Sequence, residues 1–391
     1  MNRRKAFTRV ALAATLAMGG HAMAQEAKEV FTIGGVLPLS GPYASLGITM
    51  RKGAELAIEE KRQVLGKPIR ALWEDTETKP QISVQKANKL VAAGANMLFG
   101  DGASIQTMAI MPVAAQRKIP LIVTASASDS ITGANRNAYT FRTSSQIYAE
   151  TQLVTEYVKK QKMKGIYVVA VDQQQGRAAA EAMKVNMEKI GVKILGVDFT
   201  PLGAPDYSLV INKVAQSGAD GVLLVTAGAD SSTFLKQAGQ VSLERKLKIF
   251  GVGFDDNDAA AVGKDIVGVQ SVARYHFSYD TPANRKFVEA YRKKFNEYPD
   301  AMAGNAYDGM KWFLEVVDKT GTWSSEAWVK AFAGSSPSAS VFGPRQMRAC
   351  DNQAVGVGLW TEGVQNAAPL PAYSFKVTDT FPPAGLYPAC P

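Results

Sequence analysis

Apolar positions in this chain come in short blocks separated by turn residues. Residues 30–37 (VFTIGGVL) are almost wholly apolar and β-branched, as in a strand buried on both faces. Pro38 ends the run, since proline brings no ladder donor, and Ser40, Gly41 and Pro42 turn the chain. Met50, Gly53, Ala54, Ala57 and Ile58 then repeat at helical spacing. The alternation continues. Strands are predicted at Ile69 to Trp73, Asn96 to Phe99 and Pro120 to Val123. Helices are predicted over 80–92, opened by proline, and from about Ser104 to Arg117. The second helix places Ile105, Met108, Ala109, Pro112 and Val113 on its apolar side, and Pro112 is expected to bend or interrupt it.

Tyr139 to Thr143 (YTFRT) is short and extended and breaks the rhythm, which marks a crossing into a second unit. That unit reads as helix 146–160, strand Gly165 to Val171, helix 177–190, strand Val192 to Phe199 and a helix within Pro205 to Ser217. Strand Asp220 to Val225, helix 230–239, strand Leu247 to Val252 and strand Val267 to Ala273 follow. Two further helices carry the stripes Phe287, Val288, Tyr291, Phe295 and Ala306, Met310, Phe313, Val317, read as core packing. From about Gly343 the chain is rich in Gly and Pro and shows no helical period. Strands alternating with helices predict parallel sheets and an α/β fold in two similar halves.

Residues 1–24 stand apart. Arg3, Arg4, Lys5 and Arg9 precede a short apolar core, Val10 to Gly20, and Ala22-Met23-Ala24 is a cleavage signal that would leave Gln25 first. The apolar run is short of the roughly 20 residues a membrane-spanning helix needs. The reading is a cleaved signal peptide and a protein that works in the periplasm. Removing those four basic residues from 44 leaves 40 against 35 acidic, a net charge of +5. No basic block interleaves with aromatics, so no nucleic-acid partner is expected. In an oxidising compartment the two cysteines, Cys350 and Cys390, are expected to bond. No metal and no cofactor are expected: the mature chain has one histidine, His276, and no C-x-x-C.

Six loops sit at strand ends: PLSGPYASLG, GDGAS, TASASD, DQQQG, TAGAD and GFDD. They are rich in Gly, Ala and Ser, with hydroxyls at Ser45, Ser104, Ser126 and Thr226. In open parallel sheets, ligands bind at the carboxyl ends of strands, where helix N-termini present free amides. Gly and Ser are also ordinary turn formers, so one such loop says little; six in two successive α/β units point to a shared cleft. No nucleophile elbow, P-loop, H-E-x-x-H or G-x-G-x-x-G is present, and no enzyme is inferred. His276 reads as structural, and Asp255-Asp256 as caps of the helix that follows.

These segments together resemble the type I periplasmic binding proteins, in particular the leucine/isoleucine/valine-binding family of ABC importers. The resemblance rests on IGGVLPLSGPYASLG (33–47), FGDGAS with MPVAA (99–115), IPLIVTASASDSIT (119–132), YTFRT, FLKQAG (234–239), NRKFVEAYRKKFNEYPDA (284–301) and AYDGMK (306–311). It implies two Rossmann-like lobes joined by three crossovers and closing like a clamshell. The lobes would be built from 25–143 with 275–343 and from 144–274 with 344–391. It implies a monomer that takes a small-molecule ligand to an inner-membrane ABC permease, or, on the same fold, a sensor that signals through a partner.

The resemblance also implies a site. The ligand's carboxylate would meet Ala103 and Ser104, with a second contact loop at Ala125, Ser126 and Ala127. Tyr43 to Leu46 and Met302 would form walls. On the second lobe the sequence departs from the family. Two positions that usually hold aromatics are Gln175 and Ala227, and the position that would carry an acid for the ligand's ammonium is Gly253. The expectation is a carboxylate-bearing solute without an α-amine and with a bulkier apolar or aromatic body. The rival is a branched-chain amino acid held by Asp255 or Asp256.

Overall fold

The computed structural model describes residues 29–226 and 228–390; the leader, Ala227 and the side chain of Gln175 lie outside the described residues. The chain opens with β1 (Phe31–Leu37), α1 (Ala44–Lys61), β2 (Gln63–Val64), β3 (Lys67–Asp75), α2 (Pro80–Ala92), β4 (Met97–Gly100), α3 (Ser104–Arg117), β5 (Leu121–Val123) and β6 (Thr140–Arg142). These strands form one sheet in the order β2-β3-β1-β4-β5-β6, parallel apart from the β2–β3 hairpin.

A second run follows: α4 (Ile147–Lys160), β7 (Gly165–Val171), α5 (Gln174–Lys189), β8 (Lys193–Thr200), α6 (Ser208–Gln216), β9 (Gly221–Val225), α7 (Ala229–Gln240), β10 (Lys248–Val252), α8 (Asp256–Val262) and β11 (Gln270–Ala273). The chain then returns to the first sheet with α9 (Pro282–Phe295), α10 (Ala301–Thr320) and α11 (Ser325–Phe332), forms the β12 (Arg345–Met347) and β13 (Ala354–Gly356) ribbon, and ends with β14 (Gly358–Gln365) and β15 (Tyr373–Phe381). The second sheet runs β15-β14-β11-β10-β9-β7-β8 and is parallel from β11 to β8, with β14 antiparallel to both of its neighbours, β11 and β15.

Each sheet is covered on both faces, as parallel sheets require. Against the first, Phe31, Ile33 and Leu37 pack with Met50, Ala54, Phe287, Met310, Phe313 and Trp328 on one side. Val36 and Leu98 pack with Ala87, Leu90 and Ile110 on the other. The stripes on α9 and α10 are therefore core. Met347 and Ala354, past Gly343, pack in the first of these clusters. In the second unit α6, α7 and α8 bury Ile211, Phe234 and Ala259 on one face, and α4 and α5 bury Val158 and Met187 on the other. No helix among the described residues is long and apolar enough to cross a membrane.

Two expectations about α3 need correction. The helix runs unbroken through Pro112. Its buried face carries Gln106, Thr107, Ile110, Met111, Val113 and Ala114, whereas Ile105 is 61% exposed and Pro112 is exposed. The face is turned because Thr107 is needed inside: its hydroxyl lies 2.7 Å from the Ser126 hydroxyl and donates to the Asp101 carbonyl at 3.3 Å. On the outer face, water can satisfy the carbonyl that Pro112 leaves without a helical partner, so one proline does not break the helix.

Candidate functional site

The order in which parallel strands are added reverses between β1 and β4 in the first sheet and between β7 and β9 in the second, stepping outward on each side of these pairs. A crevice at the carboxyl ends of the strands opens at such switch points. The loops after β1, β4, β7 and β9 are residues 38–43, 101–103, 172–173 and 226–228, four of the six singled out from sequence.

In the first lobe these loops are locked together. The Asp75 carboxylate at the end of β3 receives the backbone amides of Leu39 at 2.9 Å and Ser40 at 3.1 Å, fixing the turn after β1. Gly102 lies against Pro38, where a Cβ would come 3.0 Å from Pro38 Cγ. Asp101 is buried beneath the same loop and accepts from the Ser83 hydroxyl at 3.0 Å and from the Gly102 amide. Burial pushes its carboxyl up to about 6 despite those donors.

Ser104 is the first residue of α3, and Ala103 stands at the N-cap without a side-chain capping hydrogen bond. The Ser104 hydroxyl oxygen accepts from the Ser128 amide at 3.2 Å. That bond uses a lone pair of the oxygen and not its proton. Ser126, by contrast, is turned inward: it is buried, and its hydroxyl donates to the Asp101 carbonyl at 3.1 Å. Its side chain braces the loop. Ala125 and Ala127 are also buried. Tyr43, the residue before α1, is 44% exposed, and Leu46 and Met302 are partly buried.

Three apolar side chains are exposed here: Ile48 and Tyr148, which escaped sequence reasoning, and Ile105, which the helical period placed on the buried side. They stand with Tyr43 on the opening turns of α1, α3 and α4, at the carboxyl edge of the first sheet. The start of α4 is sewn to this edge, since the Ile147 amide donates to the Ala127 carbonyl at 3.0 Å and the Tyr148 amide to the Asp129 carboxylate at 3.0 Å. An apolar side chain directly after Ser104 on a helix whose other face is already filled was the available signal.

On the second lobe Gly253 is exposed, has φ +80°, and would meet nothing within 4 Å if it carried a Cβ. There is space for a side chain, but the backbone sits where L residues are strained. The two acids after it are engaged. Asp255 caps α8 by accepting from the amides of Asn257 at 2.8 Å and Asp258 at 3.3 Å, with the Asp258 carboxylate accepting from the Asp255 amide at 3.0 Å in return. Asp256 accepts from the Phe375 amide at 2.7 Å and lies 3.3 Å from His276 Nε2. His276 is buried and its other ring nitrogen accepts from the Ser278 amide, a structural arrangement. Thr226 pairs with the Ser231 hydroxyl at 2.8 Å. Asp300, which caps α10 beside Met302, is pushed up by burial, with the charge of Asp255 a smaller contribution in the same direction.

The periplasmic binding protein family model matches residues 30–364. A Leu/Ile/Val-binding protein homolog from Brucella abortus is 27% identical over 302 residues, 75% of this chain and 77% of that protein. An amino acid ABC transporter substrate-binding protein from Pseudomonas fluorescens Pf-5 superposes with TM-score 0.83 at 25% identity, over 93% of this chain and 98% of that one. A solute-binding protein from Rhodopseudomonas palustris BisB5, solved with 3,4-dihydroxybenzoic acid, superposes with TM-score 0.79 at 24% identity, over 91% and 98%. With two doubly wound lobes set in this order and a family match that spans both, the chain belongs to the type I periplasmic binding proteins of the branched-chain amino acid family.

Proposed function

We propose that this protein is the solute receptor of an ABC importer and that its ligand is an organic acid without an α-amine, carrying an apolar or aromatic body. Closure of the lobes on the ligand shifts an open–closed equilibrium, which the permease reads. The carrying observation is the contrast between the two sides of the cleft. Ser104 accepts from the Ser128 amide through a lone pair and still has its hydroxyl proton to give a carboxylate. In the second lobe position 253 is glycine, and Asp255 and Asp256 are spent on α8 and β15. An ammonium desolvated there without a partner would cost several kcal/mol. The exposed Tyr43, Ile48, Ile105 and Tyr148 suit an apolar body, and the dihydroxybenzoic acid complex shows that this fold accommodates an aromatic carboxylate.

A second reading has an observation of its own. Asp300 of one lobe feels the charge of Asp255 of the other, and an ammonium between them would relieve that repulsion. A branched-chain amino acid would then be the ligand.

The first-lobe anchors are Ala103, Ser104 and the backbone of 125–127. The lobe boundaries belong to the same reading: crossings near Thr143 and Tyr275, and a third between Gly356 and Gly358 rather than at Gly343, since Met347 and Ala354 still pack on the first lobe. The protein acts in the periplasm after removal of residues 1–24. A thermal-shift screen of amino acids against aliphatic and aromatic acids tests the function. A true ligand at 100 times its dissociation constant stabilises by about 2.7 kcal/mol. A response confined to amino acids contradicts the acid reading.

A further inference from the structure

Arg142, the last residue of β6, is fully buried. Its guanidinium has five N–H donors, and five oxygens receive them. Nε donates to Gln353 Oε1 at 2.6 Å. Nη1 donates to the carbonyls of Ser128 at 2.5 Å and Ser126 at 3.4 Å. Nη2 donates to Thr132 Oγ1 at 2.8 Å and Gln146 Oε1 at 2.7 Å. Every one of these direct partners is a neutral oxygen. A buried cation tolerates this only if its donors are satisfied, so the acceptors and the arginine hold one another in place.

Gln353 is the distant member, and it is built to stay put. Its side-chain amide donates to the carbonyls of Ser144 at 2.9 Å and Ala354 at 2.7 Å. The segment before it is anchored three ways. Cys350 is bonded to Cys390. Arg136 donates to the Cys350 carbonyl at 2.9 Å. The Asn352 side chain donates to the carbonyls of Asn137 and Thr140, both at 3.2 Å, while the backbone carbonyl of Asn352 accepts from the Arg142 amide at 2.9 Å. A strut therefore runs from the C-terminal disulfide through Gln353 and Arg142 to residues 126–128.

We propose that Arg142 and Gln353 are positioning residues for the ligand loop 126–128; this rests on the ligand reading given above. A trans peptide is planar with its C=O and the next N–H opposed. Turning the Ser126 and Ser128 carbonyls inward onto Arg142 turns the amides of Ala127 and Asp129 outward. The Ser128 amide itself is held by Ser104. The guanidinium thus sets which way the loop's donors face without touching the ligand.

The test uses the full exported chain, hydrogen exchange of peptides spanning 124–130, and titration with leucine and 4-hydroxybenzoate. Gln353→Leu removes the acceptor for Arg142 Nε. We expect exchange in 124–130 to rise about tenfold with β8 and β9 unchanged, and affinity for whichever probe the wild type binds to fall at least tenfold. Gln353→Glu keeps the acceptor oxygen for Arg142 but loses the amide that donates to Ser144 and Ala354, so it recovers both readouts in part relative to Gln353→Leu. Thr132→Val removes a different acceptor of the same guanidinium and moves both readouts in the same direction by less, which covers a Gln353→Leu chain that does not fold. Unchanged exchange in 124–130, or a loosened loop with affinity intact, overturns the proposal. Failure of both probes to bind the wild type counts against the ligand reading alone, because the exchange readout still decides whether the strut holds the loop.

Discussion

The hydroxyl oxygen of Ser104 takes the backbone amide of Ser128 at 3.2 Å, so one loop of the first lobe fixes the orientation of the side chain offered by another. The bond uses a lone pair and spares the proton. A ligand carboxylate at the start of α3 would receive that proton as a charge-assisted hydrogen bond, worth about 1.5–3 kcal/mol. Ser104→Ala should weaken binding by tenfold or more in calorimetry while the melting temperature of the free protein changes little. Equal affinity would remove Ser104 from the site.

The cysteines give a second expectation. Cys350 and Cys390 are bonded across a separation of 40 residues. Closing a loop of that length stabilises by roughly 4 kcal/mol on chain-entropy reasoning. The exported protein should show no free thiol when labelled under denaturing, non-reducing conditions, and Cys350→Ser with Cys390→Ser should lower the denaturant midpoint. Two labelled thiols would defeat this.

Asp101 sets a pH dependence. Its folded carboxyl stands at about 6 through burial, against 3.8 for the free side chain. A raised acid contributes stability that is full below about 3.8 and lost as pH rises through about 6. A shift of about two units corresponds to about 3 kcal/mol. Asp101→Asn keeps a carbonyl for the Gly102 amide and removes the charge. Its stability relative to wild type should climb between pH 4 and 6 and level off above. A difference that stays flat from pH 4 to 8 in paired denaturant melts would show that Asp101 does not carry this charge penalty.

The legible parts of the fold are those written in local pattern. The apolar blocks and their proline and glycine punctuation placed α2, α3 and β7 at or within a residue or two of their observed bounds. Short elements with non-local partners were illegible. The strands β12 to β15 pair with one another and, through β14, with β11 about 90 residues earlier, and carry no strong period of their own. The eight-residue α11 had its signal in Ser324, which caps it, but no long stripe. At the site, strand-end loops were readable because parallel α/β topology dictates where they lie. The use of each side chain was not. That Ser126 points inward, that Asp256 is held by Phe375, 119 residues away, and that Arg142 meets Gln353, 211 residues away, are facts of tertiary contact.

The central claim is that the cleft takes a carboxylate and does not need an ammonium. Leucine and 4-methylpentanoate differ in the α-amine alone, and 4-hydroxybenzoate adds an aromatic body. Isothermal titration of the purified protein with all three decides the matter. The account predicts that at least one of the two acids binds at micromolar strength and that leucine binds at least tenfold more weakly. Micromolar leucine with both acids silent, and loss of that binding in Asp255→Asn, would contradict it.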